Sequence, residues 1–398
     1  MPLVRAADNR ELTKDMRSAN GEQSIGSQWN FPFRVAGAVI AFLLIASCGN
    51  SGGSADSISM GRDVVIEGIS GNSMSLTAVP DGGFVLAGYS WAVATDANGG
   101  VLWRYADPDA DPTHETYRQS EFHGVVPLNS GNILLCGVER TANESAALLT
   151  ILNSAGHLVE KRLIQPPGPD KYAAVRFERC LRWGDGVAVI GSMAKDLTRF
   201  DWLMKLDGNG AKQWDLFDHQ LMGFDAVESV NHNLVMASIG AVKTKLVQVN
   251  PQGHIVLTKD FAGFPDNMLR SAVPASTLQV ITNVNREDNE VFTLNDKFEQ
   301  IAPSRPIKFP ITADARAWVL WDGSIAVFGH VFAQPGADRS FVARIAMRER
   351  PDEMLAFALP NPQSTSFRMY DAVPISERTF VAVRGLNNSV ALSWVTFK

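Results

Sequence analysis

The chain has 398 residues, a formal net charge of −6, 45% hydrophobic and 20% charged residues. That balance suits a globular protein with a large core. Without a long basic run, it offers no electrostatic footprint for nucleic acid.

The first element is the apolar run Arg34-Val-Ala-Gly-Ala-Val-Ile-Ala-Phe-Leu-Leu-Ile-Ala-Ser-Cys48. A positive charge, a short hydrophobic stretch and small residues at its end make a secretory signal; the stretch is short for a membrane span. Its ending, Ile45-Ala46-Ser47-Cys48, resembles a bacterial lipobox. The resemblance implies that Cys48 is acylated and becomes the mature N-terminus, so that the partner on this side is a membrane. Met1 to Phe33 is longer than such a leader needs, which allows a later start such as Met16. Gly49 to Ser57 is a flexible polar tether. By resemblance to lipoprotein sorting, Gly at position 49 implies the outer membrane, facing the periplasm or the surface. The expected organisation is a leader and signal at 1–47, the lipidated Cys48 with its tether over 48–60, and one domain over 61–398.

Within that domain a phrase recurs about every fifty residues. Asp81-Gly-Gly-Phe-Val-Leu-Ala-Gly88 leads to Trp91, Asp96-Ala-Asn-Gly99 and Trp103; Asp185-Gly-Val-Ala-Val-Ile-Gly191 leads to Trp202, Asp207-Gly-Asn-Gly210 and Trp214. Each copy reads as four strands. In the first copy strand a covers Ser75 to Val79, strand b Phe84 to Ala87, strand c Trp91 to Thr95 and strand d Val101 to Tyr105. Asp or Asn at the first turn position caps the turn amides, and Gly at the fourth tolerates positive φ. The c–d turn returns as Asn153-Ser-Ala-Gly156, Asn250-Pro-Gln-Gly253 and a degraded Asn295-Asp-Lys-Phe298. Strand b ends at Gly88, Gly137, Gly191, Gly240 and Gly329, with Val284 and Gly385 in the weaker copies; the first four are spaced by 49, 54 and 49 residues.

About seven copies follow in this register. The last reaches strand c at Ala391 to Phe397, and an unassigned strand, Asp63-Val-Val-Ile-Glu-Gly68, lies upstream of the first. The expected fold is therefore all-β: a single β-propeller of about seven four-stranded blades, closed by the N-terminal strand. Closure removes the raw sheet edges that an open ring would expose. A solenoid would need polar caps at its ends, and neither end has one.

The phrase resembles bacterial secreted and lipoprotein β-propeller repeats, a WD40-like or quinoprotein-like superfamily, over roughly residues 62–398. The resemblance implies a fold and no particular activity. Asn98 and Asn209 stand where the quinoprotein-type phrase carries Thr, so no cofactor is expected.

Candidate chemistry is sparse. Asp107-Pro-Asp109-Ala-Asp111-Pro-Thr-His114-Glu115 is the densest group of ligand-type side chains. Alternating Asp residues can grip Ca²⁺, but Pro112 and Arg118 occupy the places of the Gly and the bidentate Glu of an EF-type loop. A solvated acidic loop is the expectation. The histidines (114, 123, 157, 219, 232, 254 and 330) form no metal-binding pattern. No nucleophile elbow or phosphate loop occurs. Asp201, Asp225, Asp314 and Asp371 read as structural, and the repeat tryptophans as packing between blades. With Cys48 lipidated, Cys136 and Cys180 remain in neighbouring repeats; an oxidising compartment permits a disulfide, but buried free thiols are expected.

The function expected from these features is a non-enzymatic envelope lipoprotein, a propeller offering a rim to an envelope protein or polysaccharide. The alternative is an envelope enzyme, a glycan lyase or hydrolase or a lactonase, with its site in the propeller funnel; paired carboxylates from distant blades would serve it.

Overall fold

The computed structural model describes residues 58–69, 75–111, 118–166, 172–195, 198–218, 223–229, 231–239, 243–262, 264–268, 270–271, 277–283, 289–307, 316–331, 339–345, 354–358, 369–386 and 389–398. Cys48, the tether and the signal segment lie outside them, as do Val284, Gly240, His114 and Glu115. Strands form seven antiparallel sheets, and no helix occurs among the described residues. The sheets are the blades of a β-propeller. Blades 1 to 6 span residues 75–106, 118–164, 173–218, 223–262, 264–307 and 316–358. Blade 7 consists of residues 369–397 and the N-terminal strand Ile58–Glu67, in the order Ile58–Glu67, Ser389–Phe397, Thr379–Leu386, Met369–Pro374. The ring is thus closed as the orphan strand implied, by a strand that begins at Ile58. Eight residue pairs join it to Ser389–Phe397, from Ile58 with Phe397 to Glu67 with Ser389. A two-residue strand, Arg270–Ser271, adds parallel to the inner strand of blade 6.

The turn chemistry repeats closely. In the c–d turn of blade 1, the Asp96 carboxylate accepts from Asn98 N at 2.7 Å and Gly100 N at 2.8 Å. Asn153, Asp207, Asn250 and Asn295 make the same pair of bonds to the amides two and four residues on. The fourth turn residue adopts positive φ at Gly99, Gly156, Gly210 and Gly253, and also at Phe298. A left-handed backbone costs a bulky residue roughly 1–2 kcal/mol. Phe298 offsets that cost by burying its ring between blades 4 and 5, against Val235, Leu246 and Val280.

Among the described residues six hydrophobic clusters hold the ring, each shared by two adjacent blades. Above them runs a polar seam in which strand d of one blade donates to a carbonyl in the next blade's c–d turn. Trp103 Nε1 reaches Ser154 O at 2.9 Å, Arg162 Nη1 Gly210 O at 2.9 Å, Trp214 Nε1 Pro251 O at 3.0 Å and Lys259 Nζ Phe298 O at 2.5 Å. Arg62, on the closing strand, does the same to Ala97 O at 2.8 Å. Gly156 lies flat on the Trp103 ring, where an added Cβ would meet ring carbons at 2.5 Å. The expectation that Trp103 and Trp214 pack between blades holds.

The expectation of free thiols does not. Cys136, in strand b of blade 2, forms a disulfide with Cys180, in strand a of blade 3; their Cα atoms are 6.2 Å apart. The sulfurs meet because Gly124, on the intervening inner strand, has no side chain: a Cβ there would lie 2.7 Å from both. A bulge next to it leaves His123 unpaired in the ladder.

Two measurements test this architecture. The disulfide closes 44 residues, and converting both cysteines to serine should lower unfolding free energy by about 4 kcal/mol in the chain-entropy picture, read from urea denaturation. Deleting residues 58–67 should expose the edge of Ser389–Phe397 and produce aggregation in light scattering; a stable monomer would contradict the closure.

Candidate functional site

Antiparallel alternation gives the ring two distinct rims. Turns a–b and c–d lie on one, the turn rim; turns b–c and the d–a loops between blades lie on the other, the loop rim. Among the described residues the site with the most functional side chains is on the loop rim, where blades 1 and 2 meet. The acidic loop after strand Val101–Ala106 falls here.

The loop is held by backbone bonds. Asp107 N donates to Ser90 O at 2.8 Å, and Ser90 N to Ser120 O at 2.7 Å. Ser90, in the b–c turn of blade 1, adopts positive φ to do this. Asp111 and Arg118 exchange both amide bonds, at 2.9 and 3.0 Å.

Asp107 is not solvated, contrary to the expectation for this loop. Its carboxylate is almost fully buried, accepts from Ser120 Oγ, and pairs with Lys161 Nζ at 2.9 Å. The same ammonium lies 2.9 Å from Asp109 and 2.8 Å from Glu139. Arg118 Nε donates to the other oxygen of Glu139 at 2.8 Å. Three carboxylates therefore face two cations, with a lysine from strand d of blade 2 at the centre. Among the described residues no three metal-ligand side chains converge around an open position.

A second pairing adjoins it. Glu121 receives Arg140 Nε at 2.7 Å and faces His123 Nε2 at 3.4 Å. His123 Nδ1 lies 2.7 Å from Phe177 O, a carbonyl that can only accept, so Nδ1 carries a proton.

These contacts drive the ionisable groups away from neutrality. Burial would depress Lys161, but its bonds to Glu139, Asp107 and Asp109 outweigh that and hold it well above its ordinary value. Burial pushes Glu121 up, and the bonds from His123 and Arg140 more than reverse it, leaving the carboxyl below its usual range. The Lys161 bond holds Asp109 down likewise. Burial, with Asp107 beside it, raises the Tyr105 phenol; its hydroxyl finds no hydrogen-bond partner among the described residues.

Beside this network opens a cleft of about 540 Å³, walled by Tyr89, Trp91, Arg104, Tyr105, Arg118 and Gln119, with the end of the closing strand at Gly68 and Ile69. Trp91 packs against the core shared by blades 7 and 1, as expected of the repeat tryptophans, and also reaches the cleft. Trp202, at the same place in the phrase, is fully buried between Phe177 and Phe217, with ring centroids at 5.0 and 5.2 Å. Phe217 is the strand-d partner of Trp202, whereas Trp91 is paired with Ala106. The small partner leaves Trp91 only partly buried, so that a packing position also forms part of the cleft wall.

Of the other acidic positions, Asp371 accepts from Leu76 N at 3.1 Å across the junction of blades 7 and 1, a structural role as expected. Asp201 is buried in blade 3. The side chain of Asp225 and the whole of Asp314 lie outside the described residues.

No protein-family model matches the chain, and no curated protein sequence is similar to it. Solved structures are. BBS1N in complex with ARL6DN superposes with a TM-score of 0.51 at 10% identity, covering 86% of this chain and 97% of that one. YCF48 from Cyanidioschyzon merolae gives 0.49 at 9% identity over 84% and 98%. A protein of unknown function from Dyadobacter fermentans gives 0.45 at 12% identity over 86% and 100%. At such identities the likeness shows the propeller fold alone.

Two outcomes test the network. Lys161→Met leaves buried carboxylates without their counter-charge and should cost about 3–5 kcal/mol in chemical denaturation. Glu121 and Asp109 titrate lower folded than unfolded. The stability they contribute is complete above the ordinary carboxyl value of 4.5 and is lost as pH falls through their folded values. Glu121→Gln should flatten the fall in melting temperature below that pH, and an unchanged acid limb would refute the assignment.

Proposed function

We propose that this protein is a non-enzymatic binding module of the cell envelope, tethered through Cys48, that holds a saccharide in the loop-rim cleft between blades 1 and 2. The observation that carries the reading is the cleft wall. Two partly exposed aromatic rings, Tyr89 and Trp91, offer stacking faces. Arg104 and Arg118 bring guanidinium groups whose donors exceed the acceptors they already meet at Glu67 O and Glu139. Aromatic faces with a few placed polar groups make a small-ligand site, and a sugar ring carrying hydroxyl or carboxylate groups matches both.

The ionisation pattern favours binding over turnover. A general acid or base works best when its pKa lies near the operating pH. Asp109, Glu121, Lys161 and Tyr105 are all displaced outward from neutrality. The disulfide between Cys136 and Cys180 supports an oxidising compartment, in keeping with export and an outer-membrane location facing the periplasm or the surface.

A glycan-binding screen of the purified protein tests the reading. Trp91→Leu keeps an apolar side chain on the blade but removes the stacking face. It should weaken the recognised saccharide about tenfold, about 1.4 kcal/mol, in a variant whose cooperative melting shows that it is folded, since Trp91 also packs on the core of blades 7 and 1. Efficient breakdown of the glycan, or binding indifferent to Trp91, would overturn it. Separately, Cys48→Ala should abolish acyl labelling and release the protein into the soluble fraction.

A further inference from the structure

The turn rim carries a pattern unrelated to the cleft. Among the described residues ten large hydrophobic side chains are strongly exposed. Eight of them are on this rim: Val101 and Leu102, Leu158 and Val159, Ile255 and Val256, Ile301, and Ile375. The first seven share a place in the repeat. They stand five and six residues after the first residue of the c–d turn, at the start of strand d in blades 1, 2 and 4 and four residues before it in blade 5. Leu102 is 60% exposed, Val159 56%, Ile301 52% and Val256 49%. Blade 3 alone of the first five has two polar residues there, Lys212 and Gln213. Beside Leu102 lies a mostly apolar recess of about 260 Å³, walled by Trp103, Val79, Pro80 and Leu128. Exposed aliphatics repeated along one rim, on edge strands, mark a contact surface.

The path of the chain says what it contacts. Ile58 pairs with Phe397 at the end of strand c, so the closing strand enters the ring at the turn rim and leaves it at the loop rim. Nine residues separate Cys48 from Ile58, a stretch that spans at most about 35 Å when extended. An acyl anchor on Cys48 therefore keeps this rim close to the bilayer. At the c–d turns the Asp96 and Asp207 carboxylates are turned onto backbone amides, and Asn stands in that place at 153, 250 and 295; Asp81, Asp185, Asp296, Glu299 and Glu377 are exposed on the same rim, so contact is expected with an uncharged, zwitterionic lipid surface.

We propose that the turn rim is a lipid-docking face, with Leu102, Val159, Val256 and Ile301 seated in the interfacial layer of the membrane that holds Cys48. The second attachment adds to the acyl chains as paired signals do in peripheral anchoring. It also points the loop-rim cleft away from the bilayer, toward its ligand. The inference rests on acylation of Cys48.

The test uses the full acylated protein in phosphatidylcholine vesicles, with acyl chains brominated or plain. Tryptophan emission should be lower in brominated vesicles, because Trp103 and Trp214 sit at this rim. Trp103→Phe should reduce that difference. The triple variant L102D/V159D/V256D should lose it while still floating with the vesicles through its anchor. These positions are exposed, and an unchanged melting temperature checks that the variant is folded. Flotation without any bromine effect in the wild type would overturn the docking face and leave the anchor standing. A bromine effect that persists in the folded triple variant would overturn the role of the aliphatic pairs. Failure of the wild type to float would refute the anchor, and the docking proposal with it. Crosslinking of Leu102 to an envelope protein in place of lipid quenching would assign the rim to a protein and overturn the proposal.

Discussion

The pairing of Ile58–Glu67 with Ser389–Phe397 is the constraint on which the remaining structure depends. Each blade covers only part of its hydrophobic surface by itself; every described cluster of the core is completed by a neighbour. A ring of such units is stable when its first and last members meet. Here they meet inside one sheet, so closure uses backbone bonds as well as side-chain packing. Ile66, on the closing strand, packs in one cluster with Leu76 and Phe84 of blade 1 and with Leu392 of its own blade.

Closure by alternation also makes the two rims chemically different. On the turn rim, backbone amides are satisfied locally by Asp or Asn, and among the described residues five junctions are sealed by a donor such as Trp103 or Arg162 that reaches one carbonyl of the next blade. At the junction of blades 1 and 2 the fit is close, because Gly156 must lie under the Trp103 ring. On the loop rim, the d–a connections are free to differ. That is where a buried ion network, a bulged His123 and a partly buried Trp91 occur together.

Much of the fold was legible in the sequence because its determinants are local. A capping Asp96 or Asn153, a glycine three residues later and an apolar strand b are each read within a few positions, and their period gives the blade. Even the closing strand could be inferred, since the last copy was one strand short. The parts that were not legible depend on residues distant in sequence. Lys161 neutralises Asp107 from 54 residues away, so the loop looked solvated. The disulfide depends on Gly124, which lies on a third strand between the two cysteines. Trp91 and Trp202 occupy one place in the phrase, and only the contrast between Ala106 and Phe217 separates a cleft wall from a core residue.

The direction of the closing strand has a mechanical consequence. It runs from the turn rim to the loop rim, and the chain before it departs at Ile58. Tension applied through that chain, away from the turn rim, acts along the strand axis. Its eight paired positions are then loaded together, in shear, and do not open one after another as in a zipper. The strand that completes the ring is therefore also oriented to bear a pull from the chain that precedes it.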